Sequence, residues 1–192
     1  QFPDIKINKS FTGEGIIINN DNAKGVILKG INKDEKKSIE FLNKNITSGN
    51  IKAFKKNQVF LGTELAYNLN LKEGDKINLM SSAFVATPLG SLPKQESFKI
   101  AGTFTTGFLE FDQNIVFLVI EDALSIFDKD DKDKNLEIYL NDPLKANLIK
   151  NKIEMINPNY FIYTWSDLNK SFFSALKVER NVMFIILTLI VI

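Results

Sequence analysis

Apolar residues recur along the chain in two periods, and the two predict different elements. Residues 5–31 predict strands, broken by the turn-forming cluster Asn19-Asn20-Asp21-Asn22. Ile39 and Leu42 lie three apart, so Asp34 to Leu42 predicts a helix, and Thr47-Ser48-Gly49-Asn50 a loop. Gln58 to Leu61 predicts a short strand. Thr63 then caps a helix of two to three turns with Leu65, Ala66 and Leu69 facing inward. Leu71 to Asp75 is a turn, and Lys76 to Met80 a strand with Ile77 and Leu79 on one face. Residues 81–97 fit neither period. Phe98 to Phe104 alternates weakly, and Ile115 to Ile120 is an unbroken apolar run of strand length.

Glu121 to Phe127 predicts a short helix, followed by a solvated loop at 128–134. Leu136, Ile138 and Leu140 mark a strand. Asp142 caps a helix from Pro143 to Ile156, and Asn157-Pro158-Asn159 ends it. Phe161 to Trp165 predicts another strand, completing a strand–helix–strand unit. A last helix starts at Ser166 and runs near-continuously into the uncharged stretch 182–192, with Trp165 packed at its start. A membrane-spanning helix takes roughly 20 apolar residues. The stretch therefore reads as the first half of a span, with about ten more apolar residues expected beyond Ile192. Lys177 and Arg180 precede it, as at a membrane boundary. The opening Phe2-Pro3-Asp4-Ile5 reads as the approach to a strand already under way.

Composition mainly excludes. The chain has no histidine, which removes histidine acid–base catalysis, serine–histidine triads and histidine metal sites. It has no cysteine, hence no disulfide, thiol nucleophile or thiolate zinc site. Net charge is +1 and Arg180 is the single arginine, a poor basis for nucleic-acid binding. The acidic loop Asp128 to Asp133 departs from a calcium loop: Leu136 stands where the glycine is needed. Ser174 and Lys177 match a serine–lysine dyad spacing, but no Lys-Thr-Gly element accompanies them. Ser91 and Lys94 share the spacing, with Pro93 between them. Gly13-Glu14-Gly15 lacks the third glycine of a dinucleotide loop. Glu64, Glu73, Asp75, Glu110 and Asp112 read as caps and solvated carboxylates. No catalytic residue, metal site or cofactor is expected.

The segment Ala83 to Pro93 is the exception to ordinary patterning. Its proline and glycine content reads as a loop, yet it carries no charge before Lys94. An exposed apolar loop marks a docking surface, and the free strand edges beside it accept a visiting strand. The segment is expected to project as a hairpin-like extension with Phe84, Val85, Leu89 and Leu92 exposed.

Four stretches resemble the periplasmic domain of lipoprotein-releasing ABC transporter permeases of the LolC/LolE type, a MacB-like periplasmic core. They are Leu61-Gly62-Thr63-Glu64-Leu65-Ala66 through Ile77; Thr87-Pro88-Leu89-Gly90-Ser91-Leu92-Pro93 into Phe98-Lys99-Ile100-Ala101-Gly102-Thr103-Phe104; Gly107-Phe108-Leu109-Glu110-Phe111-Asp112; and Trp165-Ser166-Asp167-Leu168-Asn169 through Met183. The resemblance implies an α+β fold with a Porter-like strand–helix–strand part (1–20 and 135–165, N-terminally incomplete). A mostly β Sabre-like part (21–134) is inserted in it, and a connecting helix leads into a membrane span (166–192). It implies a non-enzymatic domain on the periplasmic side of the bacterial inner membrane. Implied partners are a LolD-like cytoplasmic ATPase subunit, a second permease copy or paralogue, lipoprotein cargo and a LolA-like periplasmic carrier. The implied carrier-docking loop is Phe84, Val85, Ala86, Thr87, Pro88, Leu89, Gly90, Ser91, Leu92 and Pro93, with Lys94 and Gln95 at its base. Basic residues expected at that base are Asn78 and Glu96 here. A related MacB/FtsX-like permease with another cargo or a regulatory role is the alternative.

Overall fold

A computed structural model of the chain describes residues 5–19, 22–34, 36–88 and 90–191. The opening residues 1–4, where the approach to a first strand was expected, lie outside them. The chain divides into two compact units, Ile7–Ile138 and a smaller one of Tyr139–Ile192 with Gln1–Lys6. These divisions fall at 6/7 and 138/139, whereas the sequence places them near 20 and 134. The first strand explains part of the difference: it is continuous from residue 5 to 19, and its ladder from Ser10 onward belongs to the larger unit.

The larger unit is a mixed α+β structure. Its strands are β1 (Ile5–Asn19), β2 (Asn22–Ile31), β3 (Ile46–Gly49), β4 (Gln58–Gly62), β5 (Lys76–Thr87), β6 (Gly90–Phe104), β7 (Ile115–Val119) and β8 (Asn135–Leu140). Its helices are α1 (Lys36–Asn45), α2 (Thr63–Asn68), α3 (Leu109–Asn114) and α4 (Ile120–Ile126). The order β2-β7-β4-β6-β5-β1 closes on itself, because β1 pairs with β5 along one edge and β2 along the other. β2–β7 and β4–β6 are parallel; β7–β4, β6–β5, β5–β1 and β1–β2 are antiparallel.

The all-apolar run of β7 follows from burial on both faces. Val116 and Leu118 enter one cluster with Val59, Leu61, Ile77, Leu79, Phe98 and Leu65. Ile115, Phe117 and Val119 enter a second with Phe60, Phe104, Phe54 and Leu42 of α1. Phe104 and Phe117 meet edge-on at 5.0 Å between ring centres, and Phe111 of α3 joins them.

Several expectations are corrected here. Residues 81–87 and 90–97 are strand rather than loop, and 46–49 form the short strand β3. Thr63 does not cap α2: its hydroxyl donates to the Phe104 carbonyl at 3.0 Å and meets the Thr47 hydroxyl. α3 has no counterpart among the elements the sequence predicts.

The smaller unit holds α5 (Ala146–Ile156), entered through a 3-10 turn capped by Asp142, then α6 (Trp165–Leu168) and α7 (Lys170–Val191). Residues 161–164 are not a strand. A strand needs a neighbour for its backbone groups, and none pairs with this segment among the described residues. The last helix is also not continuous. Asn169 leaves helical geometry, and its side-chain amide donates to the Trp165 carbonyl. Trp165 does pack at the start: it stacks edge-on against Phe173 at 5.1 Å and donates its indole N–H to the Pro143 carbonyl. Among the described residues no helix is long and apolar enough to cross a membrane.

Thr164 and Asp167 form a reciprocal capping box at the head of α6. The Lys150 ammonium, donating to Asp167 at 2.8 Å, lowers the carboxyl pKa to about 2, with further help from the Thr164 N–H. A carboxyl depressed in the fold adds stability that is complete above its ordinary value of 3.8 and lost as pH falls toward about 2. Lys150→Met is therefore expected to raise the Asp167 pKa back toward 3.8, read by NMR titration of the carboxyl carbon. An unmoved titration would remove Lys150 as the cause.

Candidate functional site

The candidate site is the outer half of the β5–β6 hairpin. Near the barrel, Lys76 to Met80 pair in register with Lys99 back to Gln95. The register then slips: Ser81, Ser82 and Ala83 stand opposite Lys94 alone. Beyond this bulge the ladder resumes with Phe84↔Pro93, Val85↔Leu92, Ala86↔Ser91 and Thr87↔Gly90. Gly90 closes the turn at φ 120°, a conformation that favours glycine. The Thr87 hydroxyl donates to the Gly90 carbonyl at 2.7 Å.

The tip is apolar and open. Phe84 is 65% exposed, Val85 46% and Leu92 54%. Ala86, Pro88, Gly90, Ser91, Pro93 and Gln95 are exposed as well, and Thr87 is half-buried. Leu89 lies outside the described residues. Among the described residues no third strand pairs with the outer edges along Phe84–Ala86 or Ser91–Pro93. β1 leaves β5 at Ser81, and β6 meets β3 and β4 only from Lys99 onward. Pro93 has no N–H to offer, so that edge is blunted against copies of itself.

Lys94 does not point its charge at solvent. Its ammonium donates to the Ser125 carbonyl at 2.5 Å, at the end of α4, and lies 3.6 Å from Glu96. The Ser125 hydroxyl donates to Glu96 at 3.1 Å. Ser81 donates to the Ile126 carbonyl and accepts the Ala83 N–H. Sequence reasoning missed Ser81 and Ser125. A signal for Ser81 existed: it occupies the buried phase of β5 after Ile77 and Leu79, where a hydroxyl needs a partner.

Other candidates fall elsewhere. Asp112 is buried and gathers the N–H groups of Thr106 and Gly107 with the Thr106 hydroxyl, holding the loop that exposes Phe108. Glu73 accepts from Ser48, and Asp75 accepts the Lys72 N–H. Asp122, in the first turn of α4, accepts the Asn57 N–H; burial pushes its pKa up against that bond. Ser174 and Lys177 both lie exposed on α7. In the 128–134 loop, Asp130 and Asp133 cap each other's backbone and Asp131 pairs with Lys134. Among the described residues no cluster of acidic side chains is arranged to hold a metal.

No protein-family model matches the chain. It is 26% identical over 184 residues to the lipoprotein-releasing system transmembrane protein LolC of Neisseria meningitidis serogroup B, covering 94% of this chain and 44% of that protein. It is 30% identical to the LolC of Buchnera aphidicola subsp. Schizaphis graminum, covering 94% of this chain and 46% of that one. The chain thus spans less than half the length of these relatives. Its fold resembles the extracellular domain of the noncanonic ABC-type transporter YknZ from Gram-positive bacteria. The TM-score is 0.50 at 11% identity, over 79% of this chain and 78% of that one. The resemblance read from the four sequence stretches therefore holds: over most of its length the chain is similar to LolC-type transmembrane proteins of lipoprotein-releasing systems.

Proposed function

We propose that the chain is the periplasmic domain of an ABC permease subunit that extracts lipoproteins from the inner membrane and passes them to a periplasmic carrier. The hairpin tip, residues 84–93, is the carrier-docking element. The observation that carries this reading is a two-stranded ribbon with exposed Phe84, Val85 and Leu92, along which no third strand pairs among the described residues. Apolar side chains supply affinity, and an edge supplies backbone hydrogen bonds to a strand of the carrier. ATP hydrolysis belongs to a separate cytoplasmic subunit, and a second permease copy or paralogue completes the assembly. Residues 1–20 with 135–165 are its Porter-like portion and residues 21–134 its Sabre-like portion. α7 leads toward the inner membrane, and its exposed residues Val182 to Leu187 support that course.

The test is a binding titration of the chain with the species' own LolA-like carrier. Saturable binding that a Phe84→Asp variant loses supports the proposal. A carrier that binds both equally, or neither, overturns the docking role.

A further inference from the structure

The bulge at the hairpin base is a mechanical weak point. Three residues face one, so the ladder is interrupted between barrel and tip. An isolated two-stranded ribbon is marginally stable on its own, and a ribbon beyond an unfastened bulge would swing. Yet the bulge is fastened on both strands, and both fastenings reach the same place. Ser81 on β5 donates to the Ile126 carbonyl, while its oxygen receives the Ala83 N–H inside the bulge. Lys94 on β6, the residue opposite the bulge, donates to the Ser125 carbonyl. Carbonyls in the last turn of a helix can take such donors; that of Ser125 also accepts the Asp128 N–H at 3.0 Å and has a second lone pair for Lys94. Glu96 sits 3.6 Å from the Lys94 ammonium and accepts from the Ser125 hydroxyl, which closes the ring and offsets the lysine's charge.

We propose that Ser81, Lys94 and Ser125 are positioning residues that aim the hairpin by fastening its bulge to the end of α4. The partner meets only the apolar tip beyond it. The partner clause rests on the docking role proposed above; the aiming clause does not. A tip held in one direction loses less freedom when it binds. Lys94, spent on a carbonyl and a carboxylate, supplies little electrostatic attraction to a partner.

The chain has no cysteine, so paired spin labels can be placed cleanly at Ala86→Cys on the tip and Lys72→Cys on the barrel. The parent is expected to give one narrow distance distribution. Lys94→Met and Ser81→Ala are each expected to broaden it, while the tip variant Phe84→Asp leaves it unchanged. Carrier affinity of Lys94→Met is expected to fall about tenfold, as for one or two newly mobile elements, with the salt dependence of binding unchanged. Distributions as narrow as the parent's in both base variants would overturn the aiming role. A flattened salt dependence in Lys94→Met would make Lys94 a contact residue and also overturn it. Absence of carrier binding by the parent defeats the docking role alone, because the distance measurement needs no carrier.

Discussion

Phe84→Asp is expected to abolish carrier binding and to leave thermal stability nearly unchanged. Phe84 is 65% exposed and pairs only with Pro93 across the ribbon, so the fold places little weight on it. Exposed substitutions of this kind change stability by about 0.5 kcal/mol or less, or roughly 1–2 °C in a chain of this size. The binding cost is larger. Truncating a central aromatic anchor costs about 2 kcal/mol or more, and a carboxylate in a desolvated interface adds the penalty of an unpaired buried charge. A loss of at least about thirtyfold in affinity follows. Leu92→Asp, on the same ribbon, is expected to behave alike. The measurements are a carrier titration and a thermal melt on each variant. A collapse of the melt would mean that the ribbon is packed onto the protein's own core and is no docking element.

What was legible in the sequence depends on whether a face is buried. β4 and β7 were plain because both of their faces enter apolar clusters, so every residue is constrained. The tip ribbon was read as a loop because neither of its faces is buried, and nothing there imposes a period of two. Pro88 and Pro93 also signalled a loop. Pro88 is tolerated because it lies in the turn, and Pro93 because no third strand pairs beside it among the described residues. The apolar character of the segment was legible all the same, and it located the candidate site without its geometry. The fastening of the bulge was not legible, since Lys94 and Ser125 are 31 residues apart and joined only by the fold. The missing strand at 161–164 has the converse cause: its aromatic and β-branched residues favour a strand, but a strand exists only with a neighbour. The last helix is interrupted at Asn169, whose side-chain amide donates to the Trp165 carbonyl, and the spacing of Leu168, Phe172 and Leu176 does not mark that point.

Gly62→Ala is expected to destabilise the larger unit severely, although the substitution adds one methyl group. Gly62 ends β4 at φ −58°, ψ 141°, a conformation any residue adopts, so the constraint is space and not backbone freedom. A Cβ there would lie 1.8 Å from the Asp112 carbonyl oxygen and 2.8 Å from its Cα, far inside van der Waals contact. The obstacle is backbone, and it is tied down. The Asp112 carboxylate holds the Thr106 and Gly107 N–H groups, and the adjacent Phe111 is wedged against Phe104 and Phe117. Relieving the clash means separating α3 from β4 and opening the aromatic cluster. The cost is expected at or beyond the top of the roughly 1–3 kcal/mol range for over-packing, at about 2–4 °C of melting temperature per kcal/mol. Gly25→Ala is the control. Nothing lies within 4 Å of a Cβ at that position, so its stability is expected to stay within about 0.5 kcal/mol of the parent. Urea unfolding of both variants decides the matter. If Gly62→Ala unfolds at the same midpoint as Gly25→Ala, then α3 is free to move off β4 and the close approach of Gly62 to Asp112 does not hold this part of the fold together.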